Sequence, residues 1–200
     1  MSSWDFLLAG LPEDPGMWQS RALLLYLVIL SVLDALAGFV STRMISASEI
    51  FYLPRSGYCR WYRHVLKNLS KFVIGYSVIL FILTIPSHSN FRELTIAMLM
   101  FALNALTLTW LQTIMIASFG NILIGFSSLL LIQFVSLYCS NRLLSSWKLL
   151  LPGNWAMPLR SSLAASEGFP VSYAICIELA LLLLMWCCGW RLVRQIKRRL

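Results

Sequence analysis

Between Glu93 and Arg142 the chain runs 48 residues, Leu94 to Asn141, without one charged side chain. As a single helix this run would extend about 72 Å at about 1.5 Å per residue, more than twice the roughly 30 Å of a bilayer's hydrocarbon core. It therefore has to fold back on itself, and Gly120-Asn121 is the natural break. The two halves, 94–119 and 121–139, are each about one bilayer long, joined by a tight turn.

Other uncharged runs give further spans at 22–42, interrupted by Asp34, at 72–88, and at 171–190, interrupted by Glu178. Only 12% of the 200 residues are charged and 59% are hydrophobic, too little polar surface for a water-soluble fold and too much apolar surface for a disordered chain. The fold class expected is an all-α integral membrane protein, one transmembrane domain over 1–200 built as a bundle of five helices. Ala35-Leu36-Ala37 ahead of Gly38 has the look of a signal-peptide cleavage site, but the region before it is net negative, so 22–42 is expected as a retained span.

Charge orients the bundle. The segment 43–71 carries Arg43, Arg55, Arg60, Arg63, Lys67 and Lys71 against Glu49, and the tail carries Arg191, Arg194, Lys197, Arg198 and Arg199. Five spans put these two segments on one side, while the segments on the other side nearly cancel. The positive-inside rule then predicts a cytoplasmic C-terminus, an N-terminus outside, a cytoplasmic loop 43–71 and an outer segment 140–170. The formal charge of +8 is thus accounted for by loops facing anionic lipid, and no nucleic-acid partner is implied.

Catalytic chemistry has no visible constellation. The two histidines, His64 and His88, cannot form an intramembrane pair, and the five cysteines include no C-x-x-C, so no metal site or other cofactor is expected. Gly120 and Gly125 have Walker A spacing, but Phe126-Ser127 follows where Lys and Ser/Thr would be needed, so the chain is not expected to be an enzyme or to bind ATP.

Asp34 and Glu178 are the intramembrane carboxylates, each costing about 2.5 to 3.5 kcal/mol at a helix centre on insertion scales. Two roles stay open: structural burial against groups such as Asn104, or the polar lining of a substrate pathway. The loop stretch from Cys59 onward suits an interfacial helix with Arg60, Arg63, Lys67 and Lys71 among Trp61, Tyr62, Val65, Leu66 and Leu69. It would either lie on anionic lipid or dock a soluble partner. The apolar outer stretch 149–159 is too short to span, which leaves re-entrant packing or a Trp-anchored surface loop.

The run SEIFYLPRSGYCRWYRHVLKNLSKF, the hairpin FGNILIGF and the stretch LLPGNWAMPLRSS before a last span with a basic tail together resemble the membrane subunit of small bacterial ABC transporter permeases, of the bacteriocin or lantibiotic export and self-protection type. The resemblance covers roughly residues 45–200. It implies a multi-pass protein of the bacterial plasma membrane, a permease moving a peptide or amphipathic substrate with a separate cytoplasmic ATP-binding-cassette ATPase. A second permease subunit or a homodimer would complete the pathway, because such permeases usually have six spans and this chain shows five. The family's ATPase-coupling loop matches Arg55, Gly57, Trp61 and Tyr62; Arg60 and Arg63 flank that pair and would meet acidic groups on the ATPase. The family's outer stretch matches Pro152, Gly153, Asn154 and Trp155. The other function classes are a substrate-binding membrane component of a vitamin-type uptake system and a non-transporting membrane scaffold.

Overall fold

The computed structural model describes residues 17–85, 91–140, 151–155, 157, 161 and 168–197, with helical side chains described except at 17–27, 29, 51–56 and 137–140. The described chain is helical: α1 (Met17–Thr84), α2 (Phe91–Phe119), α3 (Ile122–Ser140), the single turn α4 (Pro152–Trp155) and α5 (Val171–Lys197). Four segments are long and apolar enough to cross a membrane, Leu30–Ile50 and Gly57–Thr84 within α1, then α2 and α5, and α3 contributes the shorter apolar stretch Ile122–Ser136.

α1 is not one rod. Gly57, at φ 72° and ψ 166°, leaves the helical region, a conformation open to glycine but strained for side-chain-bearing residues. The Trp61 indole N–H donates to Ser48 Oγ at 2.9 Å, two residues that a straight helix would hold about 20 Å apart. Further along, Leu33 of the first limb packs against the same cluster, Leu94, Met98 and Phe101, as Tyr76, Leu80 and Phe81 of the second. The two limbs on either side of Gly57 therefore lie antiparallel, as a helical hairpin.

This revises the expected loop 43–71. The chain is helical on both sides of Gly57, so the segment from Cys59 onward is the opening of the long limb Gly57–Thr84 rather than a separate interfacial helix. Its two faces separate as the sequence suggests: Arg60, Arg63, Lys67 and Lys71 are exposed. The apolar face, however, meets protein. Trp61, Tyr62, Leu66 and Leu69 are each no more than 1% exposed and belong to the main core cluster with Trp110, Ile114, Met185 and Val193.

α2 is the central helix, with 16 of its 29 residues buried. Its polar residues Asn104, Thr107, Thr109, Gln112 and Thr113 face neighbouring helices rather than lipid. The chain reverses at Gly120, φ 67°, where the Gly120 amide closes α2 on Ile116 O at 2.8 Å and Asn121 Oδ1 accepts from the Leu123 amide at 2.8 Å as the N-cap of α3. The break expected at Gly120-Asn121 is where the chain turns.

α5 buries a single seam, Ala174, Glu178, Leu182, Met185, Gly189 and Val193, spaced by four or three residues, which is one face of a helix. The first limb of α1 does the same with Asp34, Ala37, Ser41, Ile45 and Ser48. Small residues in that seam let the limb approach α2 closely: the hydroxyls of Ser41 and Thr113 are 3.1 Å apart, and a Cβ on Gly38 would come within 2.8 Å of Gln112 Nε2. The outward faces are apolar instead of polar. Val28, Val32, Leu36 and Phe39 on the first limb, and Ile74, Val78 and Ile82 on the second, are each about half exposed, a stripe suited to lipid contact.

A candidate intramembrane polar site

The same seams that bury small residues turn Asp34 and Glu178 inward. Asp34 is 9% exposed and Glu178 is fully buried. They meet around Asn104, near the middle of α2. The Asn104 amide uses both hydrogens, donating from Nδ2 to Glu178 Oε1 at 2.9 Å and to the carbonyl of Pro152 at 2.8 Å. Across the cluster, Gln112 Nε2 donates to the backbone carbonyl of Asp34 at 3.0 Å, and Gln133 of α3 lines the same cavity as Asp34.

The four residues Pro152 to Trp155 belong to this layer. Gly153 N donates to Ser136 Oγ on α3 at 3.2 Å, and a Cβ at Gly153 would stand 2.7 Å from Ser136 Cβ, so glycine permits the approach. Asn154 is 1% and Trp155 4% exposed, and Trp155 packs with Met100 of α2, Ala174 of α5 and Phe169 just ahead of α5. The turn is therefore buried among the helices, bonded to α2 through Asn104 and to α3 through Ser136.

A cavity of about 30 Å³ lies in this layer, with Asp34, Tyr76, Asn104, Thr109, Gln133 and Gly153 on its wall. Asp34 Oδ2 and Gln133 Oε1 have no hydrogen-bond partner among the described residues, nor do Gln112 Oε1 and Glu178 Oε2. A buried polar atom without a partner forgoes about 1 to 3 kcal/mol. The two carboxyls are not in contact with one another. They flank Asn104, one across the cavity and one bonded directly.

The sequence-derived coupling residues fall into two groups. Gly57, Arg60 and Arg63 are exposed, with the Arg63 guanidinium 5.7 Å from the centre of the Trp186 ring. Trp61 and Tyr62 are interior: Trp61 bonds Ser48, and the Tyr62 hydroxyl donates to Met185 O at 3.1 Å. The side chain of Arg55 lies outside the described residues, as do residues 1–16. Near the same end, Lys197 forms an ion pair with Glu49 and lies over the Trp61 ring at 5.7 Å, tying α5 to the hairpin.

Gln112, Gln133, Thr109 and Tyr76 were not legible as site residues from their positions in apolar runs. The usable signal is Gln133, the lone amide in the charge-free stretch Ile122–Val135. Compared with known proteins, the chain matches no family model, no curated protein and no solved structure.

Proposed function

We propose that this chain is the membrane-spanning permease subunit of a transporter, moving a peptide or amphipathic substrate with ATP hydrolysis supplied by a separate cytoplasmic ATP-binding-cassette ATPase. The observation that carries this reading is the buried layer in which Asp34, Asn104, Gln133 and Gly153 line a small cavity while Glu178 is bonded to Asn104 and Gln112 to the Asp34 carbonyl. Intramembrane ionisable groups facing a bundle interior mark transport pathways more often than they serve packing.

In this reading the chain has five spans, because α3 at 19 residues extends about 28 Å, close to the hydrocarbon thickness. The N-terminus is outside, and the basic hairpin end faces the cytoplasm of a bacterial cell. A second permease subunit or a second copy of this chain completes the pathway. The coupling surface is the exposed rim of the hairpin, Gly57, Arg60 and Arg63, which offers positive charge to acidic groups of the ATPase. Trp61 and Tyr62 support that rim from within.

The test is purification of the tagged full chain from its native membranes. An ATP-hydrolysing partner is expected to co-purify, and a double charge reversal, Arg60→Glu with Arg63→Glu, should cut its recovery at least about tenfold while the chain inserts normally; removing Lys67 and Lys71 should change recovery little. Recovery of the chain without any nucleotide-hydrolysing protein would move the scaffold reading ahead.

A further inference from the structure

The second limb of α1 carries Arg60, Arg63, Lys67 and Lys71 on one exposed face, which continues as the exposed apolar residues Ile74, Val78 and Ile82. Contacts between helices give the depth of that face. Glu93 opens α2, and Trp110 stands about 26 Å further along the same helix at about 1.5 Å per residue, close to the roughly 30 Å of hydrocarbon. The Trp110 indole N–H donates to Ser70 Oγ at 3.1 Å, and its ring stacks on Trp186 of α5 with centres 5.8 Å apart. Lys71 is therefore level with two stacked indoles near the far edge of the hydrocarbon, the depth that tryptophan favours. Lys67 lies about 6 Å further out and Arg60 about 16 Å. A headgroup layer of roughly 5 to 7 Å per leaflet takes in Lys67 and Lys71 and leaves Arg60 beyond it. We propose that Lys67 and Lys71, beside the Trp186 stack, bind the phosphate headgroup of an anionic phospholipid whose acyl chains lie along Ile74 and Val78.

Three features select that ligand. From Arg60 to Thr84 the limb has no Asp or Glu, so its positive charge is uncompensated along the chain and favours a lipid of net negative charge over a zwitterionic one. The surface continuous with the two lysines is apolar, which matches acyl chains and not the wet face of a soluble protein. At the same junction the Arg63 guanidinium lies 5.7 Å from the Trp186 ring centre and the Arg191 guanidinium 5.5 Å from that of Trp190, which places further positive charge and aromatic surface beside the lysines. The inference rests on the helices crossing a bilayer and not on the transport reading, since Lys67 and Lys71 are outside the proposed ATPase-coupling rim.

The experiment is native mass spectrometry of the purified full chain, titrated in detergent with dioleoyl phosphatidylglycerol or dioleoyl phosphatidylcholine. Phosphatidylglycerol is expected to bind at least about tenfold more tightly. Lys67→Gln with Lys71→Gln should weaken phosphatidylglycerol binding about tenfold and leave phosphatidylcholine unchanged, while Lys67→Arg with Lys71→Arg should retain both affinities. Removing the same charge elsewhere, with Arg92→Gln and Arg194→Gln, should change phosphatidylglycerol binding less than about twofold, because screening confines the attraction to nearby charges. Equal affinity for the two lipids, or equal losses in the lysine pair and the control pair, would overturn the proposal. Loss of ATPase recovery in the lysine pair with phosphatidylglycerol binding intact would overturn it as well and assign the face to a protein partner.

Discussion

Replacing Trp61 by alanine is expected to destabilise the folded chain by about 3 kcal/mol, the cost of a large buried aromatic truncated in a packed core. Trp61 is 1% exposed and makes three side-chain contacts: its N–H bonds Ser48 across the hairpin, its ring lies beneath Lys197 of α5, and Tyr58 meets it edge-on with ring centres 6.1 Å apart. In lipid the transfer term that dominates soluble cores is weak, so the loss comes from packing and from the hydrogen bond that Ser48 Oγ accepts from the indole. Trp61→Phe keeps most of the volume and should cost only about 1 kcal/mol, the worth of one hydrogen bond. Thermal unfolding in detergent, followed by size-exclusion of the surviving fraction, separates the two variants. An unchanged midpoint in Trp61→Ala would mean that the indole is not the interior wedge described.

The second large effect is expected at Gly189. A Cβ there would overlap the Tyr62 hydroxyl and stand 2.7 Å from Tyr62 Cζ, closer than real side chains pack. The ring cannot easily withdraw, because Tyr62 is itself 1% exposed and its hydroxyl is engaged with Met185 O. Gly189→Ala should therefore cost about 2 kcal/mol by overpacking, and Gly189→Leu should prevent accumulation of folded protein. The cause is local, so it should couple: in a Tyr62→Ala background the alanine at 189 should cost about 1 to 2 kcal/mol less than in the wild type. Full additivity in the thermal midpoints would place the strain elsewhere.

These two sites mark where the sequence could and could not be read. Charge-free runs and the Gly120-Asn121 break are local signals: the chain does turn at that break, and four segments of the described helices are long and apolar enough to cross a membrane. The partner of an amphipathic face is not a local signal. Residues 59–71 present an apolar and a basic side whether they float on lipid or open a long packed helix, and the decision lies with Met185, Gly189 and Val193, over 100 residues away. Positive charge pointed to a loop because Arg60, Arg63, Lys67 and Lys71 are expensive in a membrane. On the outer face of a helix near its end, long basic side chains can reach the headgroups while their stems cover apolar surface. The break that does occur, at Gly57, joins two helical limbs directly.

The site was partly legible for the same reason. Asp34 and Glu178 stand out because carboxylates are rare in apolar runs, and Asn104 stands out as the amide nearest the centre of α2. That Asn104 joins Glu178 to the Pro152 carbonyl depends on a turn 48 residues further along, which no spacing in the sequence encodes. A ruler along the helices separates Asp34 and Glu178 by about 7.5 Å in depth, assuming that their spans start level. Packing of both around Asn104 brings them into one layer.

The most direct measurement of the central claim, that this layer is a working pathway, is complementation of a deletion strain scored as tolerance to amphipathic antimicrobial peptides, alongside the amount of folded complex extracted from the same cells. Asp34→Asn and Glu178→Gln each remove a charge while nearly preserving shape. The account predicts that each variant assembles at the wild-type level and lowers tolerance at least about tenfold, the scale of a lost charged contact of roughly 1.4 kcal/mol or more. Wild-type tolerance in both variants, or loss of folded complex in Asp34→Asn, would contradict it and assign the carboxylates to structure alone.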